Sequence, residues 1–314
     1  MRQRAGVAAI LLVVAVMAAS AIQPPADPAA LVVQLSGRVE VQRAGRTLPV
    51  TVGASLEAGD RLVVPAGGRA VLMYRTGKME TATSTLTIEA RQSEQPSNLY
   101  RQTVQTAVAV ATTDAGKQPN RQGMIRPVPG EPTPSTPRNG IKVLDVRPTF
   151  TWLAVPGATA YTIQIRRTDL DGARPVRFQH AHADTTWTYP ADSPALVPGA
   201  SYEWTVAAAP GGRPAVAARF RVVSAVEFDA LSRMLGEFAA AGIDPMSDGL
   251  FVTALWYRET GLFYEAQRAL DQMSRAGAGS GRMFHLLRGV VLDQLGDIDA
   301  ASLAFQAADR EPAS

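Results

Sequence analysis

The chain of 314 residues contains no cysteine. That absence excludes a disulfide scaffold, a thiolate nucleophile, a thiolate metal centre and a lipid-bearing cysteine, so stability must come from packed cores. Histidine is nearly as scarce: a catalytic dyad would have to draw on His180, His182 or His285, the three in the chain. The standard catalytic signatures are missing too, with no Gly-x-Ser-x-Gly elbow and no His-Glu-x-x-His helix. Gly277-Ala278-Gly279-Ser280-Gly281 superficially suggests a phosphate loop, but it lacks the following lysine and reads as a turn between helices. The sequence therefore predicts a protein that is not an enzyme and uses no cofactor.

Long apolar runs are also lacking. The one run of note, Gly6 to Ala19, falls short of the about 20 residues that span a bilayer comfortably. Arg2 and Arg4 precede it and Ala19-Ser20-Ala21 follows, the small-x-small pattern of a signal peptidase site. Residues 1–21 are thus predicted to be a signal peptide cleaved after Ala21, giving a periplasmic or secreted protein. An uncleaved N-terminal membrane anchor is the alternative.

Charge is unevenly spread. Ile22 to Ala225 holds 22 basic and 15 acidic residues, whereas Val226 to Ser314 holds 7 basic and 13 acidic. A basic front suits peptidoglycan or another anionic envelope polymer, and an acidic rear avoids it, although a solvated surface accounts for both. Export and the absence of any recognition motif argue against nucleic acid.

Short apolar or alternating runs separated by glycine turns fill residues 30–90 and predict a compact all-β module. Gly37, Val39 and Val41 form an opening, Leu56, Gly59 and Asp60 a turn, and Ala70, Leu72 and Gly77 a second strand and turn. These residues resemble the FecR-like periplasmic domain over about sixty positions. Members of that family that regulate sigma factors carry a cytoplasmic segment, and only five residues precede the apolar run here. The resemblance therefore implies ligand sensing or wall binding rather than direct anti-sigma signalling.

Residues 91–140 turn to Gln, Thr, Pro and Asn and predict a linker, extended across Pro127 to Pro137. Within it, Leu99 to Thr112 fits either a helix beginning after Ser97 or a valine-rich strand. The β pattern returns over 141–224. Trp152, Tyr161, Tyr202 and Trp204, together with the Pro-Gly-x-x-Tyr-x-Trp-x-Val stretch ending at Val206, make this segment similar to a fibronectin type III-like sandwich.

From 225 to 312 the periodicity is helical. Phe228, Leu231, Leu235 and Phe238 share a face, and Gly261/Gly296, Ala266/Ala301 and Leu270/Phe305 recur at an offset of 35. That spacing is close to the about 34 residues of tetratricopeptide repeats, which the segment resembles. The predicted fold class is thus multidomain, with all-β modules followed by an all-α array.

The favoured expectation is an exported scaffold or adaptor whose helical groove binds a protein partner in the cell envelope. Trp256, Tyr257, Arg258, His285 and Arg288 are the candidate groove residues, with core packing the plainer account of Trp256 and Tyr257. The alternative places ligand or glycan binding on the FecR-like module. A third reading uses His180, His182 and Asp184, spaced two apart as on one strand face, to hold a metal. No fourth ligand is evident, and a polar, solvent-facing strand explains them without one.

Overall fold

The computed structural model describes residues 28–89, 95–112, 129–138, 140–172, 174–180, 184–240 and 244–311. The predicted signal peptide and His182 lie outside them. Eight strands come first: β1 (Ala30–Ser36), β2 (Glu40–Arg43), β3 (Arg46–Pro49), β4 (Ser55–Leu56), β5 (Arg61–Val63), β6 (Arg69–Tyr74), β7 (Met79–Ala82) and β8 (Leu86–Thr87). They form two antiparallel sheets, ordered β4-β1-β6-β7 and β3-β2-β5-β8. In the second, Leu48, Val41, Leu62 and Leu86 stand in one cross-strand row, with Val41 and Leu62 buried. The opposite face presents Thr47, Gln42, Arg61 and Thr87, all exposed, so strict alternation yields one packed and one wet face.

Two parts of the expected linker are folded. Residues 98–111 form α1 (Asn98–Ala111), whose first turn is capped by Ser97 Oγ accepting from the Tyr100 amide at 3.1 Å. Leu99, Tyr100, Thr103, Thr106, Ala107 and Val110 are its buried residues, so one face carries the apolar groups and the helix outcompetes the valine-rich strand. Further on, Thr133–Thr136 is an edge strand, β9. Prolines are tolerated there because an edge strand leaves amides unpaired. The Pro137 carbonyl accepts the Trp204 indole N–H at 2.8 Å, which ties this proline run into a core.

The sandwich continues with β10 (Ile141–Val143), β11 (Thr149–Leu153), β12 (Ala160–Arg167), β13 (Val176–His180), β14 (Thr186–Thr188), β15 (Ser201–Ala209) and β16 (Ala218–Val222). A three-stranded sheet, β14-β11-β9, faces a five-stranded one, β10-β16-β15-β12-β13. The parallel pairing of β10 with β16 lets the first part of the chain contribute to both sheets. Trp152, Tyr161, Tyr202 and Trp204 are all buried in this core. Phe150 meets Trp204 edge-on at 5.0 Å, and Trp152 meets Tyr161 likewise at 5.0 Å.

Five further helices follow: α2 (Ala225–Ala240), α3 (Leu250–Glu259), α4 (Phe263–Arg275), α5 (Arg282–Gln294) and α6 (Ile298–Arg310). The α2 start is a reciprocal capping box: Ser224 Oγ accepts from the Glu227 amide at 3.3 Å and Glu227 Oε2 from the Ser224 amide at 3.0 Å. The pairs α3–α4 and α5–α6 are equivalent hairpins. Gly261 donates to the Arg258 carbonyl and Leu262 to that of Tyr257; Gly296 donates to Asp293 and Asp297 to Leu292. Both glycines sit at positive φ, 78° and 73°, where a helix reverses most cheaply without a Cβ. Among the described residues no helix is long and apolar enough to cross a membrane.

Candidate functional site

Two hydrophobic cores account for nearly all buried apolar residues. The sandwich has its own, around Phe150, Trp204 and Phe220. The other is shared: Leu31, Val33 and Leu72 of the first β module join Leu99 and Val110 of α1 and Phe251, Leu255, Leu270 and Leu287 of the helices in one cluster. α1 packs against both α3 and α5, the first helices of the two hairpins, and β1 packs against α3. The face that would receive a partner segment in a stacked-hairpin array is therefore occupied by the chain itself.

The predicted groove residues fit that arrangement. Tyr257 is buried near Glu265 and Arg268 of α4, with its hydroxyl pKa raised chiefly by burial. Trp256 lies half-buried against the shared core, its indole N–H buried and without a hydrogen-bond partner among the described residues. Arg258 pairs with Glu259 at 3.1 Å. Arg288 crosses to α4, donating to Ser274 Oγ at 3.2 Å and Asp271 Oδ1 at 3.3 Å. His285 turns edge-on to Phe284 at 5.4 Å, and burial lowers its pKa. Of these five side chains, Tyr257 is buried and the other four are half-buried.

The metal trio is only partly described. His180 ends β13 opposite Tyr161, Asp184 follows exposed in the next loop, and His182 lies outside the described residues. Among the described residues no group of three or more His, Asp or Glu side chains could hold a metal ion.

A different surface gathers charge. The outward face of the five-stranded sheet carries Arg177 on β13, Arg166 on β12, Arg219 and Arg221 on β16 and Lys142 on β10, aligned through Gln164, Glu203 and Ser201. Strict alternation puts them there, because Ile163, Ile165, Trp204, Val206 and Phe220 take the inner positions. Glu203 is shared by Arg166 at 2.5 Å and Arg219 at 3.6 Å. Arg177 has no acidic partner among the described residues, and the Arg219 side chain is 73% exposed. At one end Lys142 and Arg221 converge on Glu227 of α2, at 2.8 and 2.5 Å. Burial opposes the charge on Glu227, but Lys142, Ser224 and Arg221 outweigh it and hold its pKa down at about 2. That end is structural; the other end carries Arg166, Arg177 and Arg219, all exposed. Composition gave the basic excess of the front half, but only strand register could reveal that it concentrates on one face.

The sandwich is also fastened to the helices. Tyr264 on α4 donates to the Ser135 carbonyl at 3.1 Å, the Lys142 amide donates to the Gly261 carbonyl at 3.4 Å, and Arg138 donates to the Leu295 carbonyl. Both hairpin bends are thus gripped by the segment that enters the sandwich.

No protein-family model matches this chain, and no curated protein matches it. Similar solved structures include a fibronectin type III-like protein from Clostridium thermocellum, 23% identical over 31% of this chain and 95% of its own, with a TM-score of 0.21. The FN1–FN3 domains of chicken CNTN1 are 10% identical, covering 61% of this chain and 57% of theirs, with a TM-score of 0.23. A two-domain fibronectin type III segment from chicken tenascin is 11% identical over 62% of this chain and 92% of its own, at 0.22. At such TM-scores the likeness carries no argument, and the sandwich is defined by its strand order. The class is a chain of β-sheet modules, one of them a two-sheet sandwich, followed by helical hairpins.

Proposed function

We propose that this chain is an exported, non-enzymatic binding scaffold of the cell envelope that contacts an anionic envelope polymer through its sandwich. In this reading the tetratricopeptide-like hairpins bind no foreign peptide. They hold α1 and the FecR-like module on one side and grip the sandwich entry on the other. The observation that carries it is the seating of α1 against α3 and α5, which covers the inner face of the two hairpins, while the basic face of the five-stranded sheet stays exposed. The cationic end of the five-stranded sheet, where Arg166, Arg177 and Arg219 lie exposed beside Glu203, supplies the contact for phosphate or carboxylate groups. The export signal at residues 1–21 would deliver the protein to such a polymer.

Co-sedimentation of the purified protein with isolated cell-wall polymer tests this. Binding should fall steeply between low and about 0.5 M salt, as screening shortens the reach of exposed charges. The double substitution Arg166→Gln/Arg219→Gln should remove most of it while the fold persists. Salt-insensitive binding, or binding untouched by those substitutions, would overturn the reading.

A further inference from the structure

The C-terminal half of α1 does not close completely on its neighbours. Val104, Ala107 and Val108 form one wall of a cavity of about 210 Å³ whose other walls are Leu31 of β1, Ser55 of β4 and the α5 start at Arg282 and Met283. The lining is mostly apolar, with Ser55 and Arg282 its polar side chains. Val108 remains 54% exposed, so the space opens to solvent. An apolar cavity of about 150 Å³ is already enough to hold a benzene-sized molecule, so this one is adequate for a short hydrocarbon chain. The end of the space is chemically polarised: Arg282 has no acidic partner among the described residues, and the first turn of α5 carries no acidic side chain.

We propose that this cavity binds one medium-chain amphiphile with a single anionic headgroup. The chain would lie among Leu31, Val104, Ala107 and Met283, and the head would meet the Arg282 guanidinium and the Ser55 hydroxyl at the mouth. The charge selects the class. A neutral or cationic amphiphile gains the same apolar contacts but leaves Arg282 unpaired or repelled. The two halves of α1 have different work in this arrangement. The N-terminal half is pinned to the first β module through the Ser97 amide, which donates to the Arg75 carbonyl at 2.8 Å, and through the Tyr100 hydroxyl, which donates to the Pro28 carbonyl at 2.8 Å. The C-terminal half roofs the cavity. Its buried side chains there are small, Thr106, Ala107 and Val110, which leaves the space unfilled.

Calorimetric titration of the full chain with octanoate, 1-octanol and octylamine decides the matter. Octanoate should bind saturably at one site per chain, about tenfold tighter than octanol, with octylamine weakest. Shortening to hexanoate should cost roughly tenfold for the two methylenes lost. Arg282→Gln should reduce octanoate to the level of octanol and leave octanol unchanged. Val104→Phe, which fills the cavity, should abolish binding of all three. Because that variant could disturb α1, nuclear Overhauser contacts between the octanoate chain and the Met283 methyl of the unaltered protein provide a second readout. Absence of those contacts, equal affinity for octanoate and octylamine, or no saturable heat would each overturn the proposal. Loss of polymer binding through the arginine face would leave it untouched.

Discussion

Asp60 and Arg43 form a two-point ion pair: Arg43 Nε donates to Asp60 Oδ1 at 2.8 Å and an Arg43 terminal nitrogen donates to Oδ2 at 2.6 Å. Oδ2 also accepts the Glu57 amide at 2.7 Å, and the Asp60 side chain is 2% exposed. One carboxylate thus closes the turn between β4 and β5 and locks it to the end of β2. The contact raises the Arg43 pKa, first through the hydrogen bond to Asp60. This explains why the Leu56-x-x-Gly59-Asp60 turn ends in aspartate: an amide there keeps the shape but offers a donor where an acceptor is required. Asp60→Asn should lower unfolding stability by about 2–3 kcal/mol, the scale of losing charged hydrogen bonds. Urea denaturation followed by circular dichroism measures it; a change below about 0.5 kcal/mol would refute the assignment.

The two glutamates beside the sandwich–helix junction titrate in opposite directions. Glu265 on α4 is buried, with Oε1 paired to Arg268 at 3.1 Å and Oε2 lacking a partner among the described residues. Burial raises its pKa above the ordinary 4.5, against smaller opposing pulls from Arg268 and backbone amides. Glu227 is held at about 2. A raised carboxyl contributes stability that is full below its unfolded pKa and lost as pH rises through the folded value; a depressed one contributes above 4.5 and loses it as pH falls towards about 2. Glu265→Gln should therefore raise the melting temperature at about pH 7, with the gain shrinking on acidification to about pH 4. Glu227→Gln should lower it at about pH 7, with the deficit shrinking as pH falls below about 4.5. Melting curves across that range give both signs, and parallel pH profiles for mutant and parent would contradict the argument.

Gly289 of α5 lies under the Phe305 ring of α6; a Cβ there would come within 2.4 Å of the ring. Two effects compete when it becomes alanine. Helix propensity gains about 1 kcal/mol, while overpacking a close-packed contact costs about 1–3 kcal/mol. Because the ring is clasped between α5 and α6, the second effect should win, and Gly289→Ala should be destabilising by about 1 kcal/mol. A gain in stability in the same denaturation assay would show that Phe305 swings aside freely.

Local patterning made much of this architecture legible. Period-two alternation marked Tyr161 to Ile165 and Tyr202 to Val206, and both place their apolar members inward. The offset of 35 between Gly261 and Gly296 reappears as matched hydrogen bonds at both hairpin bends. What escaped was tertiary. Prolines between 127 and 137 suggested an extended linker, yet Pro134 sits in an edge strand and the Pro137 carbonyl accepts from Trp204. Likewise the valines of α1 fitted helix or strand equally, and only the surfaces of α3 and α5 settle which face is buried. The arginine face eluded a one-dimensional reading because its members come from four strands spread between Lys142 and Arg221.

The separation of cores carries a final prediction about how the chain can be divided. The sandwich core comprises residues between Val143 and Val222, and the Trp204 N–H bond to Pro137 is retained in a fragment of residues 129–224. That fragment should fold alone, with a cooperative thermal transition and dispersed amide resonances. The helices have no such independence, since Phe251, Leu255 and Leu287 share a cluster with Leu31, Val33 and Leu72. Deleting 225–311 should therefore leave the first β module with exposed core surface, seen as dye binding and loss of cooperative melting. Adding the helical segment back in trans should restore both. If residues 28–112 instead melt cooperatively without it, the apolar contacts between β1, α1 and α3 are a weak docking surface rather than a common core, and the hub role of the helices fails with them.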